Sequence, residues 1–463
     1  MESCTADLRK LQFTDIKVDT PSRHSVVKEA DYVPDLCSVM QKGSVAELVS
    51  YFCLFHDACA ILRASRVFIH PHFRSTLRVC RGIMLCGGFT LNRTICNSAV
   101  MFHPDRKAWS TLPPMSQPRT AAADAVDGSH LYLCGGSTSL DMATGRNETL
   151  RCSESYDALL EQWTPLPLMA DLRLQAMAVW WAGRLYVFGG HHCNAPPVNM
   201  PERPTTSVQC FDPLWNNGTW NDLAPMSHGR VNAACLAAPE GIYLCGGESD
   251  SLGRGVLAAS ERFDTVRGSW EALPPLAGGP RTKAFSARIA DAVFVCGGMG
   301  GSPGQSALRS VECFALAATT TTATPTAPTI PASGQWVARS PMNEARFSFG
   351  FSAGSAVVAG LLYICSGNRE NFASVERFHP ALDRWESVAP MSELRVMCMV
   401  GEAAGLLFVF GGMEPRSEAK SSCECFDPAL GRWTALPPMP GPRYGACIAG
   451  VTVRSRYCEP SQF

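Results

Sequence analysis

Arginine is the residue type whose repetition most clearly suggests chemistry in this chain of 463 residues. A guanidinium group stays charged and binds a carboxylate through two parallel hydrogen bonds, so a regular series of arginines predicts a site for acidic groups. Each arginine of the series follows a tryptophan by ten residues, or by eleven in one case. The series consists of Arg119, Arg173, Arg230, Arg281, Arg346, Arg395 and Arg443.

Glutamate recurs with a related period, which gives the arginines a second interpretation. Acids and bases that each occur once per repeat can neutralise one another inside the fold. Two roles therefore stay open for the arginines, structural pairing and ligand binding, and one residue can serve in both. The recurring acids stand two residues before an aromatic residue and are Glu154, Glu261, Glu312, Glu376 and Glu424.

Patterns for catalysis or metal binding are sparse. The one cluster of metal-ligating residue types is His191, His192 and Cys193. Adjacent residues on an extended backbone point apart, whereas a zinc site needs ligands that converge from two segments. No nucleophile motif, phosphate-binding glycine loop or pair of carboxylates stands out. We therefore expect no enzymatic activity, no metal and no cofactor.

The arginines belong to a unit that repeats about every 50 residues, a period typical of propellers. The second glycine of a pair follows the arginine by seventeen residues in five cases and by twenty-one in another. The distance from this glycine to the next tryptophan varies, which confines insertions to loops. The repeated tryptophans are Trp109, Trp163, Trp220, Trp270, Trp336, Trp385 and Trp433, and the glycines are Gly88, Gly136, Gly190, Gly247, Gly298, Gly367 and Gly412.

Each unit has the pattern of four strands separated by turns rich in glycine and proline. A double glycine, an aromatic residue and a tryptophan at these offsets resemble the kelch repeat over residues 78–453. The resemblance implies an all-β, seven-bladed β-propeller, with a six-bladed ring as the alternative. Two departures affect single blades: Ser366 replaces the first glycine of the sixth pair, and Ala315 stands where other units have Asp or His.

The two ends of the repeat region predict how the ring closes. The first unit starts at its second strand, whereas the segment from Arg443 onwards has the pattern of a first strand that no second strand follows. We therefore predict that the C-terminal strand completes the first blade.

In a propeller, equivalent residues of all blades lie at similar height and radius, so we predict the seven arginines around the mouth of the central channel. The loops after the glycine pairs would lie on the same face, and variable loops on a rigid scaffold usually carry binding function. Related kelch receptors use arginines at this position for acidic peptides. We predict a protein or peptide ligand on this face, an acidic one being the candidate, and survival of the fold after charge reversal at Arg230 or Arg395. The loops are 89–97, 137–151, 191–207, 248–259, 299–309, 368–373 and 413–422.

Residues outside the repeats predict further segments. Residues 1–40 form a polar N-terminal tail, and 454–463 form a C-terminal tail. Residues 41–77 have helical spacing of apolar residues and resemble part of an F-box, which implies docking to the adaptor of a cullin-type ubiquitin ligase. The segment 317–334, rich in threonine and proline, is a low-complexity insertion in the fifth blade.

Composition excludes several partner classes. The formal net charge is −1, so there is no basic footprint for nucleic acid or anionic lipid. No apolar run approaches the ~20 residues that a membrane span needs, and the first ten residues are too polar for a signal peptide. We expect a cytoplasmic protein whose cysteines are free and buried, since equivalent positions in different blades are too far apart for disulfides.

Together these patterns predict a non-enzymatic interaction module, and we expect it to be the substrate-recognition subunit of a cullin-type ubiquitin ligase. Kelch propellers also bind actin, so a cytoskeletal scaffold is the alternative from the same class. A galactose-oxidase-like copper enzyme is the alternative from another class.

Overall fold

A computed structural model describes residues 79–140, 147–191, 204–213, 218–250, 255–300, 306–316, 334–348, 354–368, 370–414 and 418–454. The predicted N-terminal tail and the helical, F-box-like segment 41–77 lie outside these residues. The insertion 317–334 lies outside them except for its last residue, and it joins the third and fourth strands of one blade as predicted.

Seven antiparallel sheets of four strands, here called blades, contain most of the described residues. Blade 1 consists of β1 (Val79–Cys86), β2 (Ala99–His103), β3 (Ala108–Leu112) and β32 (Cys447–Arg454); blade 2 of β4 (Ala123–Val126), β5 (His130–Cys134), β8 (Ser153–Asp157) and β9 (Gln162–Leu166); blade 3 of β10 (Met177–Trp181), β11 (Arg184–Phe188), β12 (Val208–Phe211) and β13 (Trp220–Leu223); blade 4 of β14 (Ala234–Ala238), β15 (Gly241–Cys245), β16 (Ser260–Asp264) and β17 (Ser269–Leu273).

The remaining blades have the same order of strands. Blade 5 consists of β18 (Phe285–Ile289), β19 (Ala292–Cys296), β22 (Val311–Ala315) and β23 (Trp336–Arg339); blade 6 of β24 (Ser355–Val358), β25 (Leu361–Cys365), β26 (Val375–His379) and β27 (Arg384–Val388); blade 7 of β28 (Met399–Ala403), β29 (Leu406–Phe410), β30 (Cys423–Asp427) and β31 (Arg432–Leu436). Loops carry the two-stranded ribbons of β6 (Ser137–Leu140) with β7 (Asn147–Thr149) and β20 (Met299–Gly300) with β21 (Ser306–Ala307), and a 3-10 turn at Leu91–Arg93.

The second strand of a blade is a continuous apolar run, whereas the outer strands mix apolar and polar residues. Burial explains this difference. All five residues of β15 are buried, because a strand in the middle of a blade is covered on both faces by its neighbours. The outermost strand β17 has no buried residue. Seven hydrophobic cores lie between adjacent blades, each with side chains from two blades. A single blade therefore cannot bury its own apolar faces.

The seven blades form a closed ring. The innermost strands are neighbours in the cyclic order β4, β10, β14, β18, β24, β28 and β32, and β32 contacts β4 again. The seven-bladed prediction is confirmed, and the six-bladed alternative is wrong because every repeat contributes its own sheet to the ring.

The C-terminal strand closes the ring as predicted. Strand β32 is antiparallel to β1 over eight residues, from the pair Val79 and Arg454 to the pair Cys86 and Cys447. Blade 1 therefore combines three strands from the start of the repeat region with one from its end.

The repeated tryptophans join the outer parts of neighbouring blades. The indole nitrogen of Trp163, for example, donates a hydrogen bond to the carbonyl oxygen of Pro113 in the preceding blade, at 2.8 Å. The same ring packs on Tyr156 of its own blade, with centroids 5.0 Å apart. Six of the seven repeated tryptophans make the equivalent bond, and Trp109 makes it to Pro437 across the closure of the ring.

The described cysteines are all free, as predicted, and most are buried. Burial raises the pKa of several thiols, that of Cys245 to about 12. Among the described residues, no helix has the length and apolarity needed to span a membrane.

Substitutions in β32 test the closure. Val451 is fully buried, so Val451→Asp places an unpaired carboxylate in the core between blades 1 and 2, and we expect it to lower the free energy of unfolding by about 4 kcal/mol or more. The matched control is Gly450→Ala in the same strand, because nothing lies within 4 Å of the added Cβ. Urea unfolding measures both, and equal stability of the two variants would contradict the role of β32.

Candidate functional site

Each repeated arginine lies in the segment that links the fourth strand of one blade to the first strand of the next. This segment runs across one end of the blades, and its arginine side chains turn inward. All seven are at most 3% exposed, which places the guanidinium groups inside the protein and not on its surface.

The main chain of each arginine bonds to the preceding blade. The carbonyl oxygen of Arg281 accepts a hydrogen bond from the amide of Gly247, at 2.9 Å. A Cβ on Gly246 would lie 2.3 Å from the same oxygen, and Gly246 has a φ of 66°. Both the close approach and the left-handed backbone explain why a glycine pair recurs here.

The side chain of each arginine bonds to the blade that follows. Nη1 of Arg230 donates to the carbonyl oxygens of Gly246 and Ala259, at 3.0 and 3.2 Å. Its Nη2 donates to Oε1 of Glu261 at 2.7 Å, and the other oxygen of Glu261 accepts the amide of Ser227, at 3.1 Å. Burial lowers the pKa of Arg230, while the charge of Glu261 opposes this effect.

Five arginines pair with a buried glutamate in this way, which is the structural pairing that the sequence predicted. Desolvating both charges is costly, so a closely bonded partner is what makes each buried guanidinium tolerable. The pairs are Arg119–Glu154 at 2.6 Å, Arg230–Glu261 at 2.7 Å, Arg281–Glu312 at 2.6 Å, Arg346–Glu376 at 2.7 Å and Arg395–Glu424 at 3.1 Å.

The other two arginines have no such glutamate. In blade 3 the position of the acid is taken by Gln209, and Arg173 instead bonds Ser207 at 2.8 Å and Asp171 at 3.5 Å. In blade 1 the position is taken by Val100. Among the described residues, the guanidinium group of Arg443 bonds Ser98, through its carbonyl oxygen at 3.3 Å and its hydroxyl at 3.0 Å.

Arg443 therefore lacks a carboxylate partner among the described residues. Partner binding by the seven arginines stays a prediction, and Arg443 is the member whose charge is least compensated. The burial of Arg230 and Arg395 overturns one expectation, that the fold survives charge reversal there. A glutamate at either position would face the buried carboxylate of Glu261 or Glu424.

The loops that follow the glycine pairs lie on the same face as the arginine links. The residue after an arginine pairs with the residue after a glycine pair, as Val231 does with Glu248 and Thr282 with Met299. This end of the blades, with its loops and links, is called the loop face below. Its exposed apolar side chains include Leu91, 43% exposed, and Leu394, 41% exposed.

A ring of left-handed residues surrounds the channel mouth on the loop face. Ala121, Gln175, Asn232 and Lys283 each stand two residues after an arginine, and their φ values lie between 52° and 57°. The amide of Gln175 donates to the carbonyl oxygen of Ala121 in the neighbouring blade, at 3.1 Å. Lys283 bonds Asn232 in the same way, at 3.0 Å. These bonds join the starts of neighbouring innermost strands.

The part of the chain that the structure describes contains no candidate metal site. No group of three or more His, Cys, Asp or Glu residues there could hold a metal ion. His191 is described, whereas His192 and Cys193 of the predicted cluster lie outside the described residues.

Comparison with known proteins identifies sequence relatives over part of the chain. A family model for the Kelch motif matches residues 351–392 and 395–440. Human Kelch-like protein 34 is 27% identical over 274 residues, which cover 57% of this chain and 38% of the relative. Beta-scruin of Limulus polyphemus is 31% identical over 212 residues, 44% of this chain and 22% of the relative. The chain thus spans well under half the length of these relatives.

Solved structures share the fold. The protein described as "Structure of YjhT" superposes with a TM-score of 0.52 at 15% sequence identity, over 70% of this chain and 99% of that protein.

Truncation of one arginine tests its structural role. Arg230→Ala leaves the carboxylate of Glu261 buried without its cation, so we expect a loss of about 3–5 kcal/mol in the free energy of unfolding. Arg184→Ala is the control, because Arg184 is half exposed and its pair with Asp212 contributes about 1 kcal/mol or less. Urea unfolding compares the two; similar losses would show that the buried pairing is not what stabilises the blades.

The glycine pairs give a second test. Ser366 takes the place of a pair's first glycine with a φ of 62°, and its hydroxyl donates to the carbonyl oxygen of Arg395. We therefore expect Gly246→Ser to be more stable than Gly246→Ala by about 1 kcal/mol, because only serine can donate to Arg281.

The control for the glycine test is Gly268→Ala. Gly268 has a φ of 68° but nothing within 4 Å of an added Cβ, so this variant measures the cost of the backbone conformation alone. Thermal unfolding of the three variants decides the order. If Gly246→Ala unfolds like Gly268→Ala, the contact with the arginine carbonyl does not constrain this position.

Proposed function

We propose that the chain is a β-propeller of the kelch type that binds a protein partner through its loop face and does not catalyse a reaction. The observation that carries this proposal is the contrast between the two parts of each repeat. The links and strands keep the same main-chain pattern in every blade, and five of the seven arginines make the same pair with a glutamate, whereas the loops between the second and third strands differ in length and sequence. A rigid scaffold with variable loops on one face is typical of binding proteins.

Exposed apolar side chains on the loop face support this role. Leu91 and Leu394 are each more than 40% exposed, and a partner that covers them gains the free energy of removing their apolar surface from water. Arg443 is the arginine that we propose for an acidic group of the partner, because it has no carboxylate of its own among the described residues. Its side chain is buried in the structure, so this contact requires the link around Arg443 to open when the partner binds.

We further propose that the protein recruits its partner to a cullin-type ubiquitin ligase. Two features of the sequence support this role: the propeller is of the kelch type, and residues 41–77 resemble part of an F-box. Binding to actin, which other kelch propellers perform, is the alternative that the experiments below must separate.

Charged substitutions on the loop face test partner binding. We expect Leu91→Glu combined with Leu394→Glu to reduce capture of proximity-labelled partners by about tenfold or more, because both leucines would lose their apolar contacts. The control is Leu160→Glu combined with Leu430→Glu, since these leucines are 65% and 60% exposed in turns at the opposite end of the blades. Quantitative mass spectrometry compares the two double variants at equal melting temperature. Equal capture by both would contradict binding at the loop face.

Affinity purification of the intact chain separates the two cellular roles. Recovery of a cullin adaptor that is lost in Leu48→Asp combined with Leu62→Asp supports the ligase role, because both leucines belong to the helical pattern of residues 41–77. Actin co-sedimentation without adaptor recovery supports the scaffold role. Stoichiometric copper in the purified protein would instead support the oxidase alternative.

A further inference from the structure

A cavity of about 290 Å³ lies at the axis of the ring, between the innermost strands and the left-handed residues of the channel mouth. Blades 2 to 5 contribute most of its lining. The cavity exists because these blades place small side chains there, namely Ala122, Ala176, Ala178, Ala233 and Ala284.

Asp124 is the single carboxylate among the described residues that line this cavity. It belongs to β4, at a position where the neighbouring blades have Ala178, Cys235 and Ser286. Asp124 is partly exposed, and no hydrogen bond or ion pair joins its side chain to another described residue. Desolvation raises its pKa to about 6, so the group is still ionised at neutral pH.

Among the described residues that line the cavity, Lys283 is the one basic group. Its Nζ lies 3.5 Å from the carboxylate of Glu248 in a loop and is therefore paired away from Asp124. The titratable groups around Asp124 on β1, β5 and β32 are the thiols of Cys86, Cys134 and Cys447, and burial raises the pKa of all three. These thiols are neutral at pH 7, so the charge of Asp124 stays uncompensated.

We propose that this cavity receives a basic side chain, a lysine ammonium or an arginine guanidinium, from the protein partner bound on the loop face. The inference rests on the proposed function and adds the chemistry of one contact. A lysine or arginine carries an alkyl stem that packs on alanines and a cationic end that pairs with a carboxylate. Gln175, Asn232 and Ser348 at the rim supply amide and hydroxyl groups for the peptide that bears it.

The first test needs no ligand. An ionised carboxyl whose pKa is raised by folding destabilises the folded state above that pKa, and the cost disappears as the group is protonated at lower pH. We therefore expect Asp124→Asn to raise the melting temperature of the intact chain by about 2–4 °C at pH 7.5, and by roughly half as much at pH 5.

Asp105→Asn is the control for this first test, since it makes the same chemical change at an exposed turn. A melting temperature of Asp124→Asn that matches or falls below wild type at pH 7.5 would overturn the inference, because Asp124 would then be a satisfied structural residue.

The second test measures the contact directly. A library of random heptapeptides is selected on the wild-type chain, on Asp124→Asn and on Asp105→Asn at pH 7.5. We expect wild type and Asp105→Asn to enrich lysine or arginine at one position, and Asp124→Asn to lose this preference about tenfold. The preference of the wild type should weaken at pH 5, where Asp124 is largely protonated.

The outcomes separate the inference from the proposed function. Enriched peptides without a basic residue, or with a basic preference that Asp124→Asn keeps, overturn the inference while loop-face binding stands. If no peptide is enriched and the leucine variants of the loop face capture partners normally, both fail. A separate experiment titrates the wild-type chain with n-butylammonium and measures its melting temperature. If this free amine stabilises the wild type while no basic peptide is enriched, the cavity binds a small amine and the peptide contact is overturned.

Discussion

A buried arginine between every two blades is the interaction on which the propeller depends. Its carbonyl oxygen is bonded by the blade before it, and its guanidinium group bonds the blade after it. One residue thus fixes two neighbouring sheets at the same end of the ring. Because the group carries a charge, the bonds around it must all form together, and the spacing of glycine pair, glutamate and arginine follows from that requirement.

This constraint changes where recognition can occur. Most of the guanidinium groups that the sequence offers for an acidic ligand are already bonded to carbonyl oxygens and glutamates of the protein itself. The surfaces free to differ are the loops and the wall of the central channel. Both are supported by strands and links whose hydrogen bonds recur in each blade. Their side chains can therefore differ without disturbing the contacts between blades. Arg173 and Arg443 depart from the repeated pairing with glutamate, and Asp124 departs from the small residues that line the rest of the cavity.

Sequence alone predicted the number of blades, the closing strand and the common face of loops and links. These features follow from the spacing of the tryptophans, arginines and glycine pairs, which recurs along the sequence. The burial of the arginine side chains could not be predicted. The symmetry of the repeat gives the position of each backbone residue in the ring, but it does not give the direction in which the side chain points. The recurring glutamates were the available signal for inward pairing. Asp124 was missed, although it is a lone acid at a position where the next three blades have Ala178, Cys235 and Ser286, and the role of residues 41–77 stays a prediction.

The pairing of the last strand with the first has a consequence for how the protein is made. Arg443 bonds Ser98 across 345 residues of sequence, and β1 leaves the ribosome long before β32. During that interval blade 1 has an unsatisfied edge, which is a template for pairing with other nascent chains. The edge stays open to such pairing until the final strand docks, so any copy that loses or delays β32 exposes β1 to neighbouring chains.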